Sequence, residues 1–150
     1  MEKKIIGYTS GVFDMFHIGH LNILKHAKEN CDYLIVGVTT DDLVSYKNTQ
    51  TIIPFEERIK IVDSIEYVDK TVPQTTMDKK EAWEKYKFER MFVGSDWKGT
   101  EKWNQFEKEF KQVGTEIIYF PYTEGTSSTK LKTALNTLIS LGANMGRDEP

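Results

Sequence analysis

Residues 33–39, Tyr-Leu-Ile-Val-Gly-Val-Thr, form a nearly unbroken apolar run in a chain in which 29% of the residues are charged. Such a run is typical of a strand that is buried on both faces of a parallel sheet. Parallel neighbours must be joined by a crossover connection, which is usually a helix. The segments on either side of this run are therefore expected to contain helices, with further strands beyond them.

The rest of the chain meets this expectation, because short β-rich segments and longer amphipathic segments alternate about five times. The predicted strands are 4–9, 33–39, 67–72, 91–94 and 115–120, and the predicted helices are 18–30, 54–65, 78–87, 101–113 and 128–141. The polar segment 41–51 lacks a clean period and predicts a loop with room for one helical turn. Gly142 is expected to cap the last helix, and 143–150 to form a disordered tail. The pattern predicts one α/β domain over 1–142, Rossmann-like, with a five-stranded, mainly parallel sheet and helices on both faces.

Composition limits the classes of partner. The 150 residues include 20 Lys and Arg against 23 Asp and Glu, for a net charge of −3, which argues against a broad nucleic-acid surface. No apolar segment approaches the ~20 residues that span a bilayer, and no basic leader with an apolar core opens the chain. The single cysteine, Cys31, cannot form an internal disulfide. We expect a cytoplasmic protein that binds neither nucleic acid nor membranes.

A glycine- and histidine-containing segment follows the first predicted strand, where parallel sheets bind their ligands. Residues 10–20 read Ser-Gly-Val-Phe-Asp-Met-Phe-His-Ile-Gly-His. His17 and His20 are three residues apart at the start of a predicted helix, so they share one face, and Gly19 leaves space above a helix end that favours phosphate. Both imidazoles can donate hydrogen bonds to phosphate oxygens. The alternative is a pair of surface histidines or two metal ligands. The segment matches neither the dinucleotide-binding glycine pattern nor a P-loop.

A second polar segment follows the fifth predicted strand and opens the last helix. Residues 121–130 read Pro-Tyr-Thr-Glu-Gly-Thr-Ser-Ser-Thr-Lys. Ser127 or Ser128 is a natural N-cap. Capping explains one serine, but a cluster of hydroxyl groups beside a glycine at a helix N-terminus also predicts a phosphate-binding site.

Together the two segments resemble the cytidylyltransferases of the HxGH-type nucleotidyltransferase superfamily. Its members show G-T-F-D-x-x-H-x-G-H near the N-terminus and R-T-x-G-[IV]-S-T-[TS] near the C-terminus. The resemblance implies transfer from CTP to a small alcohol phosphate, such as glycerol phosphate, which gives a CDP-alcohol for a cell-surface polymer or capsule and releases pyrophosphate. It also implies a homodimer and Mg²⁺ or another divalent cation, which is bound through the triphosphate with Asp14 as a candidate ligand.

The resemblance also assigns roles to individual residues. Three are expected to be catalytic: His17, His20 and Lys47. Those expected to bind the nucleotide are Ser10, Gly11, Val12, Asp14, Gly19, Asp96, Tyr122, Thr123, Gly125, Ser127, Ser128 and Thr129. Those expected to bind the acceptor are Lys47, Arg58, Glu66 and Lys80. For the acceptor phosphate, the resemblance implies Lys79 or Lys80. Plain alternatives exist for Lys47 as a solvated loop lysine, for Arg58 as a partner of Glu124 or a solvent-exposed residue, and for Lys79 or Lys80 as a surface-helix lysine.

Three positions depart from the family pattern. Tyr122 replaces an arginine, Thr49 replaces a lysine, and Glu66 replaces an arginine before Tyr-Val-Asp. If Glu66 faces the pocket, it repels an acceptor phosphate, and glycerol phosphate should be a poor acceptor. Two alternatives therefore remain open: an adenylyltransferase that uses ATP on a small phosphate, and a nucleotide-binding domain without turnover. The intact histidines argue against the second.

Overall fold

The computed structural model describes residues 4–46, 50–121 and 127–146. Within these ranges strands and helices alternate in the order β1 (Ile6–Gly11), α1 (Ile18–Glu29), β2 (Tyr33–Thr39), α2 (Asp41–Tyr46), α3 (Phe55–Asp63), β3 (Lys70–Gln74), α4 (Lys79–Tyr86), β4 (Arg90–Gly94), α5 (Glu101–Gln112), β5 (Glu116–Phe120) and α6 (Ser128–Gly146). A short 3₁₀ turn, Ser95–Trp97, follows β4.

The five strands form one sheet in the order β3-β2-β1-β4-β5, and every neighbouring pair is parallel. The chain moves outward from β1 through β2 to β3, then crosses back to place β4 on the other side of β1. The strand order therefore reverses between β1 and β4. Ligands of such sheets bind in the crevice beyond the carboxyl ends of the strands at this point.

Helices cover both faces of the sheet, as predicted. On one face α1 and α3 contribute Leu24, Ala27 and Val62 to a buried cluster with the β2 residues Leu34, Val36 and Val38. On the other face α5 contributes Trp103 and Phe110 to a cluster with Tyr8, Ile35 and Met91. Because successive residues of β2 point to opposite faces, both of which are covered, its sequence is apolar throughout.

Several element boundaries differ from the prediction. β1 continues to Gly11, so that Ser10 pairs with Gly37 inside the sheet. β3 begins at Lys70 rather than at 67 and includes Pro73, which is tolerated because β3 is an edge strand. The segment expected to be mainly loop contains the six-residue helix α2.

At the C-terminal end, α6 continues through Gly142 to Gly146, so the predicted cap at Gly142 is wrong. Residues 147–150 of the expected tail lie outside the described residues. No helix in the described part of the chain is long and apolar enough to cross a bilayer.

Arg58 ties α3 to the carboxyl ends of β1 and β2. Its guanidinium is buried, with 1% of the residue exposed. Nε donates to the Ile53 carbonyl over 2.8 Å, and Nη1 donates to the carbonyls of Val12 and Thr39, each over 2.7 Å. Nη2 forms an ion pair with the Asp41 carboxylate at 2.7 Å. These contacts hold Arg58 inside the protein, so the expectation that it binds the acceptor is corrected to a structural role.

We expect Arg58→Met to lower the free energy of unfolding by about 3 kcal/mol, because it leaves buried carbonyl groups without a donor. Urea denaturation followed by circular dichroism measures this loss. Lys60→Met, an exposed change on the same helix, is the matched control and should shift stability by no more than ~0.5 kcal/mol. Equal stabilities for the two variants would contradict the structural role of Arg58.

Candidate active site

A cavity of about 460 Å³ opens at the carboxyl end of the sheet, around the point where β1 and β4 diverge. The ends of β1 to β4 form its floor, and residues of α4, α5 and α6 form part of its walls. Six of the residues predicted to form the site line it: Ser10, Gly11, Val12, Asp14, His20 and Ser128. Ser128, a described residue of the second segment singled out as a phosphate site, therefore lines the same cavity as the first segment.

Asp14 lies between β1 and α1, and only 2% of it is exposed. Its carboxylate accepts hydrogen bonds from the backbone amides of Ile52 and Ile53, both at 2.9 Å, and Lys132 Nζ approaches it to 3.2 Å. Burial alone would raise the pKa of Asp14, but these partners outweigh it and lower the pKa. Asp14 therefore remains a carboxylate that joins three segments of the chain.

The two histidines form a reciprocal cap at the N-terminus of α1. His17 Nδ1 accepts a hydrogen bond from the Gly19 amide at 3.1 Å, and His20 Nδ1 accepts one from the His17 amide at 3.2 Å. In most capping boxes the N-cap residue is Ser or Thr, and the third residue of the helix is Glu or Gln. Because each Nδ1 accepts a hydrogen bond, a neutral ring must carry its proton on Nε2. The fold thereby selects the same tautomer for both rings.

Both histidines have a lowered pKa. Burial, with a further contribution from the neighbouring His17, lowers the pKa of His20 from 6.5 to about 4. Burial also lowers the pKa of His17. The ring centroids lie 3.9 Å apart, so protonating both rings would bring two positive charges together. At neutral pH both rings are therefore uncharged and carry their proton on Nε2.

Ser128, the first residue of α6, joins the second segment to the first. Its hydroxyl donates to the Asp14 carbonyl over 2.7 Å, and its Oγ lies 3.3 Å from His17 Nε2. The neighbouring Ser127 accepts from the Lys130 amide at 3.0 Å and so acts as the side-chain cap. Ser128 is thus available to position His17, while Thr129 is exposed.

Several predicted site residues lie outside the part of the chain whose side chains are described. Outside the described residues lie Lys47, Tyr122, Thr123 and Gly125, and only the backbone of Asp96 is described, within the 3₁₀ turn. Glycine 19 is buried within the first turn of α1.

The lysines of α4 are arranged differently from the expectation. Lys80 is exposed and pairs with Glu109 at 2.9 Å, away from the cavity. Lys79 is buried, lines the cavity and donates to Ser10 Oγ over 3.2 Å. The sequence already indicated that Lys79 faces inward. It precedes the inward-facing Ala82 and Trp83 by three and four residues, and residues at this spacing share one face of a helix. Of the two candidate lysines, Lys79 is therefore the one that lines the cavity.

Sequence reasoning also missed Lys132, which lines the cavity and donates to the Gln50 carbonyl over 3.2 Å. Its position could have been inferred, since it follows Ser128 by four residues and so lies on the same face of α6.

Glu66 does not approach the cavity. It is exposed in the connection between α3 and β3, before the amino end of β3. The cavity lies at the carboxyl ends of the strands. The expected repulsion between Glu66 and an acceptor phosphate therefore has no basis in this structure.

The parallel sheet carries paired imidazoles and lysines near the point where its strand order reverses. These features define the class, an α/β protein that binds phosphate-bearing ligands. The Cytidylyltransferase-like family model matches residues 8–134, and the chain belongs to this family. It is 36% identical over 134 residues to glycerol-3-phosphate cytidylyltransferase of Staphylococcus aureus, covering 89% of this chain and 95% of that protein.

Two further comparisons extend the picture. The chain is 34% identical over 135 residues to mouse ethanolamine-phosphate cytidylyltransferase, covering 87% of this chain and 32% of the mouse protein. The structure of a lipopolysaccharide core biosynthesis protein from Thermoplasma volcanium superposes with a TM-score of 0.69 at 22% identity, covering 83% of this chain and all of that one. That likeness concerns the fold alone.

We expect nuclear magnetic resonance to find both His17 and His20 in the Nε2–H tautomer at pH 7, with His20 titrating near pH 4. Long-range ¹H–¹⁵N spectra measure the tautomer and the titration together. The unfolded chain binds a proton at this ring near pH 6.5, whereas the folded chain binds it only near pH 4. Stability should therefore fall as the pH is lowered through that interval.

His20→Gln is the control for this effect, because glutamine keeps a hydrogen-bond acceptor for the His17 amide but does not titrate. The variant should lose part of the dependence of stability on pH. A proton on Nδ1 of His20, or a midpoint at the ordinary histidine value, would contradict the capped arrangement.

Proposed function

We propose that this protein transfers a cytidylyl group from CTP to a small alcohol phosphate, with glycerol 3-phosphate as the acceptor and pyrophosphate as the second product. The observation that carries this proposal is the pair of neutral imidazoles at the amino end of α1, of which His20 lines a cavity together with Lys79, Lys102 and Lys132, while His17 packs against His20 outside the lining. A net positive cavity in a chain of net charge −3 favours anionic ligands. The similarity to glycerol-3-phosphate cytidylyltransferases of S. aureus and Bacillus subtilis supports the same reaction.

The reaction needs charge stabilisation more than acid–base chemistry. An oxygen of the acceptor phosphate attacks the α-phosphorus of CTP, a new P–O bond forms, and the bond from the α-phosphorus to the bridging oxygen breaks. Pyrophosphate leaves with that electron pair, so no proton transfer is required. Negative charge moves toward the β-phosphate, and donors aimed at that position lower the barrier. The proposal assigns this role to the Nε2–H of His20, which lines the cavity, and to the Nε2–H of His17, which a phosphate oxygen would take over from Ser128 Oγ.

Magnesium enters this proposal with the nucleotide. In the part of the chain that the structure describes, no group of three His, Cys, Asp or Glu side chains could hold a metal ion. Asp14 is the one carboxylate among the described cavity-lining residues, and both of its oxygens already accept hydrogen bonds. Mg²⁺ is commonly bound by phosphate oxygens with few protein ligands. We therefore treat MgCTP as the substrate and do not assign Asp14 as a ligand of the metal.

The charge of the cavity also bears on the acceptor. A phosphate ester of an amino alcohol brings an ammonium group that needs a carboxylate or an aromatic cage free of nearby cations. The described lining contains three lysines, and its carboxylate is paired with Lys132. A neutral alcohol phosphate is therefore favoured over ethanolamine phosphate. A homodimer remains part of the proposal on the strength of the family resemblance, and a cytoplasmic location on the strength of the composition, which includes a single cysteine.

A pyrophosphate-release assay with the four ribonucleoside triphosphates, crossed with glycerol 3-phosphate and ethanolamine phosphate, tests the function. We expect CTP with glycerol 3-phosphate to give the highest kcat/KM. His17→Ala and His20→Ala should each lower kcat by roughly 10²–10³-fold, as the loss of one transition-state donor typically does.

His26→Ala is the matched control, because His26 is exposed on the same helix and does not line the cavity. It should keep the kcat of the parent. Turnover with ATP but not CTP would favour the adenylyltransferase alternative, and no turnover with any pair would favour a binding domain. Full kcat in both His17→Ala and His20→Ala would contradict the role given to the histidines.

A further inference from the structure

Side chains, rather than regular secondary structure, hold the segment that leads into α3. Residues 50–54 belong to no helix or strand. The carboxylate of Asp14 accepts hydrogen bonds from the backbone amides of Ile52 and Ile53, and the Ile53 carbonyl accepts one from Arg58 Nε. The path of this segment therefore depends on a carboxylate and a guanidinium that are distant from it in space along the fold or in sequence.

Lys132 anchors the same segment from α6. Its ammonium nitrogen lies 3.2 Å from Asp14 Oδ2 and donates to the Gln50 carbonyl over 3.2 Å. The ammonium thus joins the carboxylate to the stretch of backbone that the carboxylate itself holds. An ammonium group has three N–H donors, and two protein acceptors already lie within reach of this one. These contacts indicate that Lys132 acts on the chain.

Helix α6 contacts Asp14 at two points that lie about one helical turn apart. The Ser128 hydroxyl donates to the Asp14 carbonyl over 2.7 Å, and Lys132, four residues later, pairs with the carboxylate. Residues at this spacing share one face of a helix. The first turns of α6 are thereby fixed to the connection between β1 and α1, which ends at His17, the N-cap of α1.

The ion pair matters because Asp14 is the more buried partner. Its side chain is 2% exposed, against 27% for that of Lys132. Removing the partner of a buried charge is strongly destabilising. The residues on either side of Asp14, Phe13 and Met15, have left-handed backbone conformations, which persist where surrounding contacts enforce them. Loss of the ammonium is therefore expected to displace this connection, and the histidine pair with it.

We propose that Lys132 is a positioning residue for the transfer reaction: through the Asp14 carboxylate it fixes residues 50–53 and the histidine pair relative to α6. The inference rests on the proposed function, for which its kinetic effect is defined. Lys132 adds to the positive charge of the cavity, but its ammonium holds the chain in place instead of serving as a main ligand of phosphate. Its loss should then lower kcat, because the imidazole donors are displaced, and should leave substrate binding nearly unchanged.

The kinetic test measures kcat and both KM values in Lys132→Met, Lys132→Arg and Lys25→Met. Lys132→Met should lower kcat roughly 10- to 100-fold, as small displacements of catalytic groups do, and leave the KM for CTP and for glycerol 3-phosphate within about threefold. Lys132→Arg keeps the charge and the donors and should restore most of the lost kcat. Lys25→Met removes the same charge from an exposed position on α1 that does not line the cavity, and should change no constant.

A double-mutant cycle tests whether Lys132 acts through Asp14. Asp14→Asn removes the carboxylate, so adding Lys132→Met should lower kcat by no more than about threefold further. Effects that multiply in the double variant would overturn the proposal, as would an unchanged kcat in a folded Lys132→Met. A raised KM for CTP with an unchanged kcat would also overturn it, because that result would assign Lys132 to the nucleotide.

Amide hydrogen exchange, measured by nuclear magnetic resonance, separates this inference from the proposed reaction. The amides of Ile52 and Ile53 should exchange roughly tenfold faster in Lys132→Met than in the wild type, relative to the amide of Val36 in the buried strand β2, which reports global stability. Unchanged relative exchange would overturn the positioning role, whether or not the wild type turns over any pair of substrates. No turnover by the wild type would overturn the proposed function alone.

Lys132→Gln takes the place of Lys132→Met in each measurement if circular dichroism shows that the methionine variant does not fold. Glutamine is uncharged but keeps a donor for Asp14. It should lower kcat several-fold, with both KM values nearly unchanged and with faster exchange at Ile52 and Ile53. Wild-type kcat together with wild-type exchange in Lys132→Gln would overturn the proposal.

Discussion

The carboxylate of Asp14 holds together the three segments that make the site. The carboxylate accepts hydrogen bonds from the amides of Ile52 and Ile53 and pairs with Lys132 of α6. The backbone carbonyl of Asp14 accepts a hydrogen bond from the Ser128 hydroxyl. Its neighbours Phe13 and Met15 both adopt left-handed backbone conformations, with φ of 54° and 49°. Such conformations persist where surrounding contacts enforce them. The connection from β1 to α1 is thus fixed, and with it the position of both histidines.

This constraint explains how an acidic chain presents donors to phosphate. The histidine pair does not rely on charge, because burial keeps His20 neutral and backbone amides select its tautomer. Positive charge comes instead from lysines on helices that are distant in sequence, Lys79 on α4 and Lys132 on α6. The cavity therefore combines fixed neutral donors with cations from separate helices, which suits ligands that carry phosphate.

The sequence predicted the sheet and the histidine pair because both depend on local patterns. An apolar run over 33–39 has few interpretations once helices flank it, and two histidines three residues apart on a helix must share a face. The alternation of elements then placed both polar segments at the same edge of the sheet.

The misassigned residues depend on distant contacts. Arg58 has the sequence context of a solvent-exposed or ligand-binding arginine. It is nevertheless buried, and it donates hydrogen bonds to carbonyl groups of three separate segments. Glu66 was assigned by analogy, but it precedes the amino end of β3, at the opposite end of the strands from the cavity. The choice between Lys79 and Lys80 follows from the helix face, which the apolar positions of α4 already indicated. Local periodicity thus predicted the sheet, whereas the partners of buried charges required the structure.

A crystal structure of the protein with a non-hydrolysable CTP analogue and glycerol 3-phosphate tests the central claim most directly: that the capped histidine pair at the amino end of α1 holds the triphosphate. We expect triphosphate oxygens within about 2.7–3.2 Å of an imidazole Nε2 of this pair. A triphosphate seated on Lys79 and Ser10, with no phosphate oxygen in contact with either imidazole, would contradict it.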